Sequence, residues 1–184
     1  FIYGTTVLSL YASYLTDSAV LIGLIPAIQG VMFLLPQMLL ARKTQSLPRK
    51  KWLLVRISIF ERLPYSIVAL SIFLWPDAPR EVSYAILMLA LITASGAGGL
   101  GGPAWKAMLA KVIPLDRRGT MFGTSSALGG ILGIGGAALS RHILATYGYP
   151  YSFGISFGLC FLSQLISYIS VTLNREPARA PEVS

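Results

Sequence analysis

The sequence predicts an all-α membrane protein, a bundle of six transmembrane helices. Hydrophobic residues make up 54% of its 184 positions and charged residues only 12%, where soluble domains carry roughly 25% charged residues. The apolar residues fall in long blocks divided by short polar segments, so the solvent for most side chains is lipid. Most of the 15 basic residues stand at block ends, on alternate gaps.

The first apolar block is residues 1–15. At ~1.5 Å per helical residue it cannot cross a hydrocarbon core of ~30 Å, so the chain is expected to begin inside its first span. A turn at Thr16, Asp17 and Ser18 leads to a second span over residues 19–40, and a basic segment leads to a third over 52–75. Residues 76–81 turn the chain into a fourth span over 82–102. A fifth is expected over 120–147 and a sixth over 149–173, which closes a single six-helix unit at residues 1–173. The tail 174–184 is polar, contains Pro177 and Pro181, and is expected to be a disordered tail or linker. Between the fourth and fifth spans, Trp105, Met108, Leu109 and Val112 follow i, i+3, i+4, i+7 spacing. With Pro103 in the first turn and Pro114 ending the run, this predicts a short amphipathic helix on the inner membrane surface.

The net charge of +8 raises the question of nucleic acid, and the placement of the charges answers it. Arg42, Lys43, Arg49, Lys50 and Lys51 share one gap; Lys106, Lys111, Arg117 and Arg118 share another; Arg175 and Arg179 lie in the tail. The intervening gaps carry almost none, which is the asymmetry of cytoplasmic loops and not a nucleic-acid patch. It places residues 41–51, 103–118, the tail and the N-terminus in the cytoplasm, and the loops at Asp17, Asp77 and Tyr147 outside. Trp52, Trp75, Tyr147, Tyr149 and Tyr151 sit near span ends, where amphipathic rings favour the headgroup layer. A multi-pass protein of the cell membrane is expected, with the lipid bilayer as its first partner.

The two basic inner segments carry a family resemblance. Residues 41–51, ARKTQSLPRKK, occupy the place of a basic loop between helices two and three, and residues 102–123, GPAWKAMLAKVIPLDRRGTMFG, are similar to the segment joining helices four and five. In these features the chain resembles the N-terminal half of a major facilitator superfamily transporter. The resemblance implies secondary transport of a small solute by alternating access, and a second, C-terminal six-helix half as partner. It also implies that the first and fourth helices line the cavity while the third supports the bundle. Three features depart from the pattern. No Asp occurs between Gln29 and Trp52, the fourth span has no embedded Arg, and the Gly-rich fifth span has no proline. Proton antiport is therefore not implied.

Candidate functional residues follow from polarity inside the spans. Tyr3, Thr6 and Tyr14 on the first, Gln29, Phe33 and Gln37 at i, i+4, i+8 on the second, and Thr93 on the fourth are candidates for a solute cavity. Amides, hydroxyls and aromatic rings suit a neutral or amphipathic solute; each could equally serve an interhelical hydrogen bond. Arg56 is close enough to the Trp52 end to snorkel to the interface. Glu61 and Arg62 lie deeper, where an uncompensated charge costs at least ~3 kcal/mol, so both are expected to find partners. With Ser58 and Tyr65 they share one helical face, and Pro64 adds an expected kink. They are read as a buried charge network, with a proton or substrate relay as the competing role. Gly123, Gly130 and Gly133 belong to a small-residue strip on the fifth span, expected to let another helix approach closely. Ser156, Cys160, Ser163, Ser167 and Ser170 make a similar strip on the sixth.

An intramembrane protease needs a nucleophile and a base, but the one histidine, His142, is near an outer span end and no G-x-S-G segment occurs. One His and one Cys with few spaced carboxylates offer no metal site, and neither an enzyme nor a cofactor is expected. A non-transporting membrane subunit is the remaining alternative; no filter signature of a channel is visible.

Overall fold

The computed structural model describes residues 5–45 and 50–174, with side chains over 7–38 and 50–174. The described residues form helices α1 (Thr5–Leu15), α2 (Ala19–Gln45), α3 (Lys51–Leu74), α4 (Arg80–Val112), α5 (Leu115–Thr146) and α6 (Tyr151–Leu173). Apart from α1, each contains a stretch long and apolar enough to cross a membrane. The fold class is the all-helical membrane bundle that the blocks predict.

The fourth helix corrects the sequence reading. The expected surface helix at residues 103–112 is not separate: α4 runs without a break through Pro103 to Val112. Proline crowds its predecessor in the α conformation, yet α4 passes Pro103, where Gly102 has no Cβ to clash, as α2 passes Pro26 and Pro36 and α3 passes Pro64. At Pro114 it does not: Ile113 adopts an extended conformation (φ −109°, ψ 120°) and ends α4. Pro114 is then the N-cap of α5, so two residues join these helices. At 33 residues, α4 is roughly 50 Å long and extends well beyond a ~30 Å core. Pro79 and Pro150 likewise precede α4 and α6, where a missing N–H leaves no orphan donor. The Tyr149–Pro150 peptide is cis.

Side-chain contacts fix the directions of the helices. Tyr84 donates to the Leu21 carbonyl (3.0 Å) and Gly99 meets Phe33, so α2 and α4 run parallel. Lys51 of α3 reaches the Asn174 carbonyl (2.7 Å), Arg62 the Gln164 carbonyl, and Ile72 packs on Gly154, so α3 and α6 are antiparallel. The larger apolar cluster joins α1, α2, α3, α4 and α6 around Tyr11, Ile25, Val68, Leu91 and Phe157. A smaller cluster of Leu54, Val55, Ala104, Met108 and Val171 lies at the opposite end of α3. The amphipathic spacing of residues 105–112 therefore has a different use: Met108 packs into this second cluster while Trp105 and Val112 stay exposed.

Candidate functional site

Along α3 the two apolar clusters leave an interval, at Ser58, Glu61 and Arg62, and a cavity of about 280 Å³ opens there. Four helices line it: Phe33 from α2; Leu54, Ser58, Glu61 and Arg62 from α3; Gly98, Gly101, Gly102 and Trp105 from α4; Ser167 and Val171 from α6. Glycine on α4 is what makes room. A Cβ added at Gly98 would lie 3.4 Å from Glu61 Oε1, and one at Gly101 would lie 3.4 Å from Leu54 Cδ1.

Arg62 is held by acceptors on two helices. Its Nε donates to the Gln164 carbonyl (2.9 Å), Nη1 to the Ser58 carbonyl (3.0 Å) and to Glu61 Oε2 (3.4 Å), and Nη2 to Ser167 Oγ (3.4 Å). The guanidinium carbon also stands 5.6 Å from the Tyr168 ring centroid, within range of cation–π attraction. Its side chain is 11% exposed, against 26% for Glu61. Arg62 thus ties α3 to α6 through acceptors that a bare hydrocarbon environment would not provide, while Glu61 borders the cavity beside α4.

The remaining sequence candidates are not gathered in one place. Phe33 lines the cavity, and Gln37 lies close by, its Nε2 3.7 Å from a Cβ placed on Gly102. Gln29 is half-buried on α2. Tyr14 is at the other end of the bundle, stacked on Tyr149 with ring centroids 5.1 Å apart. Thr93 is exposed and donates to the Leu89 carbonyl of its own helix (2.8 Å). Tyr3 and the side chain of Thr6 lie outside the described residues. At Gly123, Gly130 and Gly133 an added Cβ would meet nothing within 4 Å among the described residues, so the α5 strip has no helix against it there. Close helix approach occurs instead on α4, where the space for a Cβ at Gly99 is taken by the Phe33 backbone. The glycine run from Gly96 to Gly102 is plain in the sequence, but its composition alone does not say which helix approaches it.

Two basic residues bond to helix ends. Arg118, in the first turn of α5, donates to the Ile113 (3.1 Å) and Ala110 (2.7 Å) carbonyls. Lys51 does the same for the last carbonyl beyond α6. Both satisfy acceptors that a helix C-terminus leaves open and both complement its dipole.

The family model described as Major Facilitator Superfamily matches residues 1–184. Neither a curated protein nor a solved structure matches the chain.

Proposed function

The chain belongs to the major facilitator superfamily, a family of membrane transporters, and on that premise we propose that it forms one six-helix half of a secondary transporter. The transported species is a small solute, moved by alternating access between the two sides of the cell membrane. The observation that carries the reading is the family match over residues 1–184. Five helices long and apolar enough to cross a membrane support it. In this reading a second six-helix half, in the same polypeptide or another, covers the open small-residue face of α5 at Gly123, Gly130 and Gly133 and completes the solute path. Gln29, Phe33 and Gln37 supply amide and aromatic contacts from α2, which suit a neutral or amphipathic solute better than a strongly charged one. Tyr3, Thr6, Tyr14 and Thr93 are the further candidates for that path. Glu61 and Arg62 hold α3 in register with its neighbours.

The test is uptake by the complete protein, both halves present, in proteoliposomes screened with neutral and amphipathic solutes. Single cysteines at Gln29 and Gln37 should be labelled from opposite sides in turn as solute is added. Uptake without any change in access would leave a channel, and no uptake of any solute would leave a non-transporting subunit.

Topology gives a second expected result. With the basic segments cytoplasmic, a cysteine at Ser46 in a Cys160→Ser background should resist an impermeant thiol reagent added outside intact cells. Cysteines at Asp77 and Gly148 should react. Outside labelling at Ser46 with protection at Asp77 would invert the orientation.

A further inference from the structure

We propose that Arg56 and Trp52 on α3 form a binding site for the phosphate of an anionic phospholipid, in the leaflet at the Lys51 end of the helix. On α3, Leu54, Val55, Ser58, Tyr65, Val68 and Ile72 are buried against neighbouring helices. The opposite stripe is left open: Trp52 is 62% exposed, Ile59 39%, Phe60 61% and Leu63 45%, and Arg56 is exposed among them. No hydrogen bond or ion pair reaches Arg56 among the described residues.

An arginine so placed needs acceptors. It stands one turn beyond Trp52, ~6 Å along the axis, deep enough to be surrounded by apolar side chains and shallow enough for its stem to reach the headgroup layer. Trp52 marks that layer, since an indole favours it. On a lipid-facing surface at this depth, phosphate and ester oxygens are the concentrated acceptors. The planar guanidinium fork matches phosphate with two parallel charge-assisted bonds. Lys51 lies next to Trp52, its Nζ 5.8 Å from the ring centroid, and adds positive charge that favours an anionic lipid over a zwitterionic one. Ile59, Phe60 and Leu63 continue the stripe towards mid-bilayer and offer an apolar track for the acyl chain. The site is independent of the solute path, and its test does not require transport.

The experiment is native mass spectrometry of the purified full chain in detergent, titrated with phosphatidylglycerol or with phosphatidylcholine, for the wild type, Arg56→Gln, Arg56→Lys and Lys106→Gln. The wild type should retain phosphatidylglycerol over phosphatidylcholine, and Arg56→Gln should weaken that retention about tenfold, the scale of losing charged hydrogen bonds. Arg56→Lys should recover part of it, because a lysine keeps the charge without the fork. Lys106→Gln, a basic residue on another helix, should retain the lipid as the wild type does. Equal retention by Arg56→Gln and wild type overturns the proposal. So does a uniform loss of thermal stability in Arg56→Gln with lipid preference intact, which would mean that protein covers Arg56. If Arg56→Gln does not fold, the Arg56→Lys titration decides, and unchanged retention there rejects the bidentate site.

Discussion

Gly99→Ala should lower the thermal midpoint of the protein in detergent by several degrees, whereas Gly96→Ala, one helical turn away, should leave it unchanged or raise it. At Gly99 an added Cβ would sit on the Phe33 carbonyl oxygen, 2.9 Å from its carbon and 3.1 Å from its Cα. These are backbone atoms of α2, so no rotamer change relieves the overlap and the two helices must separate. Overpacking of a formed contact costs roughly 1–3 kcal/mol, and a collision with backbone belongs at the upper end. At Gly96 the nearest atom is the Met32 carbonyl oxygen at 3.9 Å, an ordinary van der Waals distance. There the methyl group fits, and the helical preference of Ala over Gly, ~1 kcal/mol, works in its favour. Gly130→Ala, whose added Cβ meets nothing within 4 Å among the described residues, is a further control. Circular dichroism melts of the three variants side by side measure the effect. Equal midpoints for Gly99→Ala and Gly96→Ala would show that α2 and α4 are not held at backbone contact.

These expectations show where sequence and structure part. Apolar block length carries most of the bundle, because a span needs a fixed number of residues and the polar gaps between blocks are short. It does not carry the extent of α4. That depends on which proline the helix passes: α4 continues through Pro103 and stops before Pro114, while α2 continues through Pro26 behind the β-branched Ile25, a distinction that hydropathy does not register. Small-residue spacing singled out α5 because its repeat is regular, yet among the described residues the close backbone contact lies on α4. A glycine strip says that close approach is possible and leaves the partner to tertiary structure. Charge in a span is costly, so the sequence leads one to expect partners for Glu61 and Arg62, which stand as a partly buried pair with Nη1 3.4 Å from Oε2. The carbonyls and the hydroxyl that receive Arg62 are not legible, since backbone acceptors have no sequence signature. Tyr14 is legible as an aromatic side chain inside a span, but its ring partners are not: it stacks on Tyr149 and meets Phe153 edge-on.

The Glu61 and Arg62 pair should show an asymmetric mutant cycle, with Arg62→Gln the most damaging single change in it. Arg62 is bonded to the Gln164 carbonyl and Ser167 Oγ on α6 as well as to Ser58 and Glu61. Its replacement breaks the tie between α3 and α6 and leaves the Glu61 carboxylate without the cation beside it. Removing one partner of a fully buried pair costs roughly 3–5 kcal/mol, and this partly buried pair belongs at or below the lower end of that range. Glu61→Gln should cost less, because Arg62 keeps its three other acceptors and Glu61 is the more exposed member at 26%. The double variant should be milder than the two single costs added together, since neutralising both leaves no uncompensated charge. Stability in detergent and solute uptake by the complete protein must be measured on the same four proteins, because a structural network predicts that both fall together. A relay predicts a split. If Glu61→Gln keeps wild-type stability and loses only the pH dependence of uptake, the carboxylate at the cavity edge carries a proton, and the structural role remains with Arg62 alone.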